Sequence, residues 1–123
     1  MTIIDSDIII YSALPQYGGV RAFILSNVTF VSAVSRVEVL GCQSLSAVEI
    51  AYFKSFFDSS AILPISDEVI DEAVRLRQQR KINLGDSLIA ATAIVNNFTL
   101  VTNNIKDFKW IDSLTLINPL EDQ

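Results

Sequence analysis

At 123 residues, half of them apolar and with a mean hydropathy of +0.41, the chain has the size of one domain around one well-filled core, and residues 1–123 are expected to form it. It holds no histidine and one cysteine, which excludes serine–histidine triads, histidine-pair nuclease chemistry, His- or Cys-rich zinc sites and an internal disulfide. A net charge of −5 argues superficially against a nucleic-acid partner.

In chain order, the strand-like run Thr2 to Ile4 comes first, followed by Asp5, Asp7 and a helical stretch from Ile8 to Leu14. A second strand-like run covers Thr29 to Ser32, and Glu38 follows it after Ala33, Val34 and Ser35. Cys42 reads as a small, partly buried apolar residue. Ser46 and Glu49 have the spacing of a capping box, opening a helix through Phe57 with Ile50, Phe53, Phe56 and Phe57 inward. Ala61 to Ile65 is the third strand. Ser66 caps the next helix, whose stripe is Val69, Ile70, Ala73, Val74 and Leu76 and whose first turn carries Asp67 and Glu68. Arg75, Arg77, Arg80 and Lys81 gather at its end, as a solvated helix terminus or as an RNA-facing patch. Asp86 opens an almost wholly apolar helix, Leu88 to Val95, whose alanines let it lie close to a sheet. Thr99 to Thr102 and Leu114 to Ile117 complete the strands, with Asn104 and Asp107 between them. The alternation predicts an α/β domain with a central parallel sheet flanked by helices on both faces. With no apolar run long enough to span a bilayer and no basic stretch leading into a hydrophobic one at the amino terminus, the protein is expected to be cytoplasmic.

The chemistry lies in carboxylates at the edges of apolar segments. In an open parallel sheet the crevice forms beyond the carboxyl ends of the strands, where Asp5 falls. Each acid also has a structural reading. Asp5 can cap the first helix, Ser35 and Glu38 fit a capping box, and Asp86 fits a helix first turn. If the fold gathers Asp5, Asp7, Glu38, Asp86 and Asp107, the remaining 9 acids equal the 9 lysines and arginines, so the negative surplus sits in one place that divalent cations can reverse. That points to metal-dependent chemistry on phosphate esters. Gly85-Asp86-Ser87-Leu88 spells an esterase signature, but its serine has no histidine partner.

The blocks Ile4-Asp5-Ser6-Asp7, Ser32 to Gly41 containing Glu38, Asp86-Ser-Leu-Ile-Ala-Ala-Thr-Ala93, and Leu100-Val-Thr-Asn-Asn-Ile-Lys-Asp-Phe108 resemble, in order, the motifs of PIN-domain ribonucleases, with the last similar to the VapC-type toxin branch. The resemblance implies a PIN-like three-layer domain and a Mg²⁺- or Mn²⁺-dependent endoribonuclease that cuts RNA, transfer RNA included, pairs with a cognate antitoxin and forms a homodimer. Asp5, Glu38 and Asp86 match the metal-holding acids, and Asn104 or Asp107 the remaining position. Asp7 stands where the family usually has asparagine. Thr102 is expected to help position this end of the site, while Ser6 and Ser32 read chiefly as structural. Apolar surface around Phe23, Ile24, Tyr52 and Phe56 is available for dimer or antitoxin contacts, although each residue alone reads as core. Two alternatives stay open: a non-catalytic PIN-like module binding RNA or protein, and a haloacid-dehalogenase-like phosphatase using Asp5 as nucleophile, for which the chain is short and Ala90 and Ala91 replace a later acid.

Overall fold

A computed structural model describes residues 1–120; the last three residues of the expected 1–123 domain lie outside them. Five strands form one sheet: β1 (Thr2–Ile4), β2 (Thr29–Ser32), β3 (Ala61–Leu63), β4 (Thr99–Val101) and β5 (Leu116–Ile117). Their order is β3-β2-β1-β4-β5 and every pairing is parallel. The helices are α1 (Ser6–Ser12), α2 (Gly18–Ser26), α3 (Ala33–Leu40), α4 (Ala47–Asp58), α5 (Asp67–Gln79), α6 (Leu84–Asn96) and α7 (Ile105–Phe108).

The central strand β1 is apolar because both its faces are covered. Ile3 and Ile4 are each fully buried, on opposite sides. Ile3 joins a core with Val69, Leu76, Ile89, Leu100 and Phe108 from α5, α6, β4 and α7. Ile4 joins Ile8, Val20, Val39, Phe53 and Val101, drawn from α1 to α4 and β4. The chain is therefore a three-layer domain, as expected. No single helix among the described residues is long and apolar enough to cross a membrane.

Local signals hold where one helix turn decides them. Ser46 and Glu49 close the capping box in both directions, and the Ser66 hydroxyl accepts from the Val69 amide. Other expectations need correction. Strands β3, β4 and β5 are shorter than their apolar runs, leaving out Ile65, Thr102 and Leu114. Helix α1 starts at Ser6, because Asp5 accepts from the Ser6 amide, and it ends at Ser12. Helix α6 starts at Leu84, two residues before Asp86, because Asn83 is its cap. Ser32, not Ser35, caps α3, so the proposed Ser35–Glu38 capping box does not form. Ile50, Ile70 and Val74 lie on the exposed side of their helices. Cys42 is exposed in the turn after α3, where its thiol donates to the Glu38 carbonyl, so it is not a partly buried core residue.

Candidate active site

The chain runs from β1 outward through β2 to β3, then returns to place β4 on the other side of β1. The crevice expected at such a reversal lies beyond the carboxyl ends of β1 and β4, the ends that carry Asp5 and Thr102. Asp5 is 5% exposed. One of its oxygens accepts from the Ser6 amide at 2.7 Å, the other from the Thr102 hydroxyl at 2.8 Å. Asp5 is thus the α1 cap and a wall of the crevice at once, so its two sequence readings are not exclusive.

Asp7, one position into α1, turns back toward the same point. Its Oδ2 accepts from the Asn103 amide at 3.1 Å, and the Thr102 hydroxyl lies 3.5 Å away. Its Oδ1 is buried with no hydrogen-bond partner. An orphaned buried carboxylate oxygen is costly unless something absent from the protein satisfies it.

Glu38 is held from across the crevice. The Ser6 hydroxyl donates to its Oε1 at 2.7 Å and is also bonded to the Ser35 hydroxyl at 2.9 Å. The carboxylate rests on Gly85, where a Cβ would stand 3.0 Å from the Glu38 Cδ and collide with Oε2. Gly85 is therefore needed for close approach, and the following residue is Asp86. The Asn83 side chain pins Asp86, its oxygen accepting from the Asp86 amide at 2.8 Å while its nitrogen donates to Oδ2 at 3.0 Å.

Asp107, in α7, receives the Asn104 side-chain amide at 2.6 Å, and the Asn104 backbone amide donates to Thr102. The side chain of Asn104 thus supports the Asp107 carboxylate.

The charges act on one another. Burial pushes the Asp5 carboxyl up to about 7, with the neighbouring Asp7 and then Asp86 adding to it against the Thr102 and Ser6 hydrogen bonds. Burial raises Asp7 as well. Asp86 is raised by burial first and then by the charges of Glu38, Asp107 and Asp7. Asp5, Asp7, Glu38, Asp86 and Asp107 therefore form one electrostatic group, drawn from four separate segments: the start of α1, α3, α6 and α7.

This donor set fits a hard divalent cation: all oxygen, negatively charged, with one buried oxygen unmatched. Among the described residues no three acidic groups are already drawn together to grip an ion. Mutual repulsion between unneutralised carboxylates works against such closure.

Beside Asp86 and Asp107 opens a cavity of about 310 Å³, also lined by Arg80, Lys81, Ile82, Asn83, Lys106 and Trp110. Two of the basic residues at the end of α5, Arg80 and Lys81, thus face the crevice, whereas Arg75 pairs with Glu72 at 2.6 Å. Asn83 was missed by sequence reasoning, and Ser6 and Thr102 prove to be hydrogen-bond partners of the acids. The only local signal for Asn83 was its helix-capping spacing to Asp86. Phe23, Ile24, Tyr52 and Phe56 all pack against the core, in line with their reading as core residues, and Ile24, Tyr52 and Phe56, with Ser12, Arg21 and Leu25, also line a cavity of about 140 Å³.

The PIN domain family model matches residues 2–113. A curated relative, Ribonuclease VapC1 of Rickettsia felis, is 40% identical over 73 residues, which are 55% of this chain and 52% of the relative. The match thus spans about half of that relative's length. Among solved structures, VapBC2 from Rickettsia felis bound to a DNA fragment from its promoter is 26% identical with a TM-score of 0.78, covering 95% of this chain and 97% of that one. A toxin–antitoxin complex from Klebsiella pneumoniae superposes with the same TM-score of 0.78 at 24% identity, over 97% and 98% of the two chains, and speaks for the fold.

Proposed function

The chain belongs to the PIN domain family, and from that premise we propose that it is a Mg²⁺- or Mn²⁺-dependent endoribonuclease, the toxin of a toxin–antitoxin pair. The phosphatase alternative has no support in that family match. The observation that carries the reading is the convergence of Asp5, Asp7, Glu38, Asp86 and Asp107 on one crevice, with the buried Asp7 Oδ1 unpartnered.

Asp5, Asp86 and Glu38 would hold the cation, with Asp7 beside them as a further oxygen ligand; this use of Asp7 departs from the asparagine usual in the family. Bound there, a divalent cation supplies positive charge to the phosphodiester and makes a nearby water more acidic. The protein's own groups set the geometry. Thr102 and the Ser6 amide fix both oxygens of Asp5, so the carboxylate cannot rotate. Ser6 fixes Oε1 of Glu38, and the carboxylate so held would serve as a cation ligand or as the acceptor that orients the attacking water. Asn83 and Asn104 hold Asp86 and Asp107 on the opposite wall. Hydrolysis directed in this way breaks the bond from phosphorus to the 3′ oxygen and leaves a 3′-hydroxyl and a 5′-phosphate.

The substrate class is RNA, with structured RNAs such as transfer RNA as the expected targets. The name of the VapC1 relative supports the ribonuclease activity, and the VapBC2 neighbour supports an antitoxin partner. Apolar side chains left on the surface, Leu25 at 87% exposed among them, are consistent with that partner and with a homodimer.

The test is cleavage of total RNA by the purified protein in Mg²⁺ or Mn²⁺ against chelator, with Asp86→Asn in parallel. Discrete fragments that need both the metal and Asp86 are expected. Intact RNA from folded protein in either metal would instead favour the non-catalytic binding module.

A further inference from the structure

We propose that the cavity beside Asp86 and Asp107 is a stacking subsite for one unpaired nucleobase of single-stranded RNA, with Trp110 and Arg80 as its ledge and Lys81 and Lys106 as contacts for the flanking phosphates. The inference rests on the ribonuclease reading of the same crevice and specifies how the strand is held there.

The cavity, about 310 Å³, is at the lower end of the size range of small-ligand sites, which begins at roughly 300 Å³. Its floor is fixed. Trp110 is half-buried, packs against the core of α5, α6 and α7, and donates from Nε1 to the Asp107 carbonyl at 3.0 Å. The indole is therefore tied to the segment that carries one of the acids. The Arg80 guanidinium lies over the ring, its Cζ 5.6 Å from the centroid. The guanidinium, backed by the indole it covers, offers a flat face on which any base can stack, with the uncovered part of the indole beside it.

Charge assigns the rest of the ligand. Arg80, Lys81 and Lys106 form no ion pair among the described residues, where Arg75–Glu72 is the salt bridge found. Three unneutralised cations thus stand next to the carboxylates of Asp86 and Asp107 in one cavity. A strand entering here meets positive charge for its phosphates beside the acids, and the stacked base sets which phosphate comes next to them. A base inside an A-form duplex has both faces covered by its neighbours, so only an unpaired one can use the ledge.

Trp110 is the chain's single tryptophan, so its emission reports this cavity alone. The experiment is a fluorescence titration of Asp86→Asn protein in Mg²⁺ with a single-stranded oligoadenylate decamer, with an abasic decamer of equal charge, and with a duplex of equal length. Arg80→Ala in the same background is titrated alongside. Saturable quenching by the single strand is expected, with affinity about tenfold or more lower for the abasic strand, for the duplex and for Arg80→Ala. Unchanged emission, or equal affinity for the abasic and base-bearing strands, would overturn the proposal. Total-RNA cleavage by the unaltered protein separates the two failures: cleavage without quenching removes the stacking subsite and leaves the nuclease reading, and quenching without cleavage does the reverse.

Discussion

Asp5 carries two duties that pull against each other at the scale of a single residue. As a helix cap it favours ionisation, through the Ser6 amide; as a buried acid beside Asp7 it resists it. Resistance wins, raising its carboxyl from 3.8 to about 7. A carboxyl raised in the folded state contributes stability that is fully present below its unfolded value and is lost as pH rises through the folded value. In chelator, the protein should therefore lose stability as pH rises from about 4 to about 7. Thermal melts in chelator across that range should show the decline, and Asp5→Asn should lessen it, the raised Asp7 and Asp86 carboxyls keeping the remainder. Divalent cation should raise the midpoint more at pH 8 than at pH 5. Gly85 gives a second residue-scale prediction. In Gly85→Ala the new methyl displaces Glu38 from its place beside Ser6. Because Glu38 ends in a flexible carboxylate, and alanine is favoured over glycine in a helix by roughly 0.5–1 kcal/mol, stability should change by less than about 1 kcal/mol. RNA cleavage should nevertheless fall at least about tenfold, as paired melts and cleavage assays would reveal. Asp5, Glu38 and Asp86 could be singled out in the sequence because each stands at the edge of an apolar run. Thr102 as the partner of Asp5 was not legible from spacing, since the bond joins residues 97 positions apart and depends on β1 and β4 lying side by side.

At the scale of the element, α6 shows how an end of a helix becomes a wall of a site. Six of its thirteen residues are buried, among them Ile89, Ala90, Ala91 and Ala93, so the helix is locked against the sheet and its first turn cannot drift. The other end is closed by Asn97 in the left-handed conformation, with φ of 56°, a geometry asparagine tolerates better than most residues. At the amino end Asn83 does two separable jobs, capping the helix and donating to Asp86. Asn83→Ala should cost about 1 kcal/mol in stability and also reduce cleavage. Asn83→Ser should restore most of the stability, because serine also caps, while leaving cleavage low, because a serine oxygen bonded to the backbone does not replace the amide donor. Chemical denaturation and cleavage rates on the two variants would check the split. The apolar run Leu88 to Val95 made this helix plain in the sequence. Its true start was hidden because Leu84, 59% exposed, adds nothing to the apolar face and the cap lies outside the pattern. The stripe on α5 was overdrawn for the opposite reason: Ile70 and Val74 have the right spacing but lie just past the edge of the face that meets α6 and the sheet.

Across the whole molecule, the strand order with β1 at the centre turns five acids that are scattered in sequence into neighbours. The alternation of strands and helices made the layered sheet legible, and with it the crevice, but not which carboxylate faces which. The fold also places opposite charge side by side: the acids at the strand ends, and Arg80, Lys81 and Lys106 on the adjoining wall. A net charge of −5 thus describes the metal-free chain and not the surface an RNA strand would meet once the acids are neutralised. Cleavage depends on that neutralisation if the acids are to meet a phosphodiester. The neutralisation is tested most directly by calorimetric titration of the protein with Mn²⁺ at pH 8, repeated with Asp5→Asn and Asp86→Asn. A saturable heat in the unaltered protein, lost or weakened at least about tenfold in both variants, is the predicted result. No heat from folded protein, or the same binding in the variants, would contradict it.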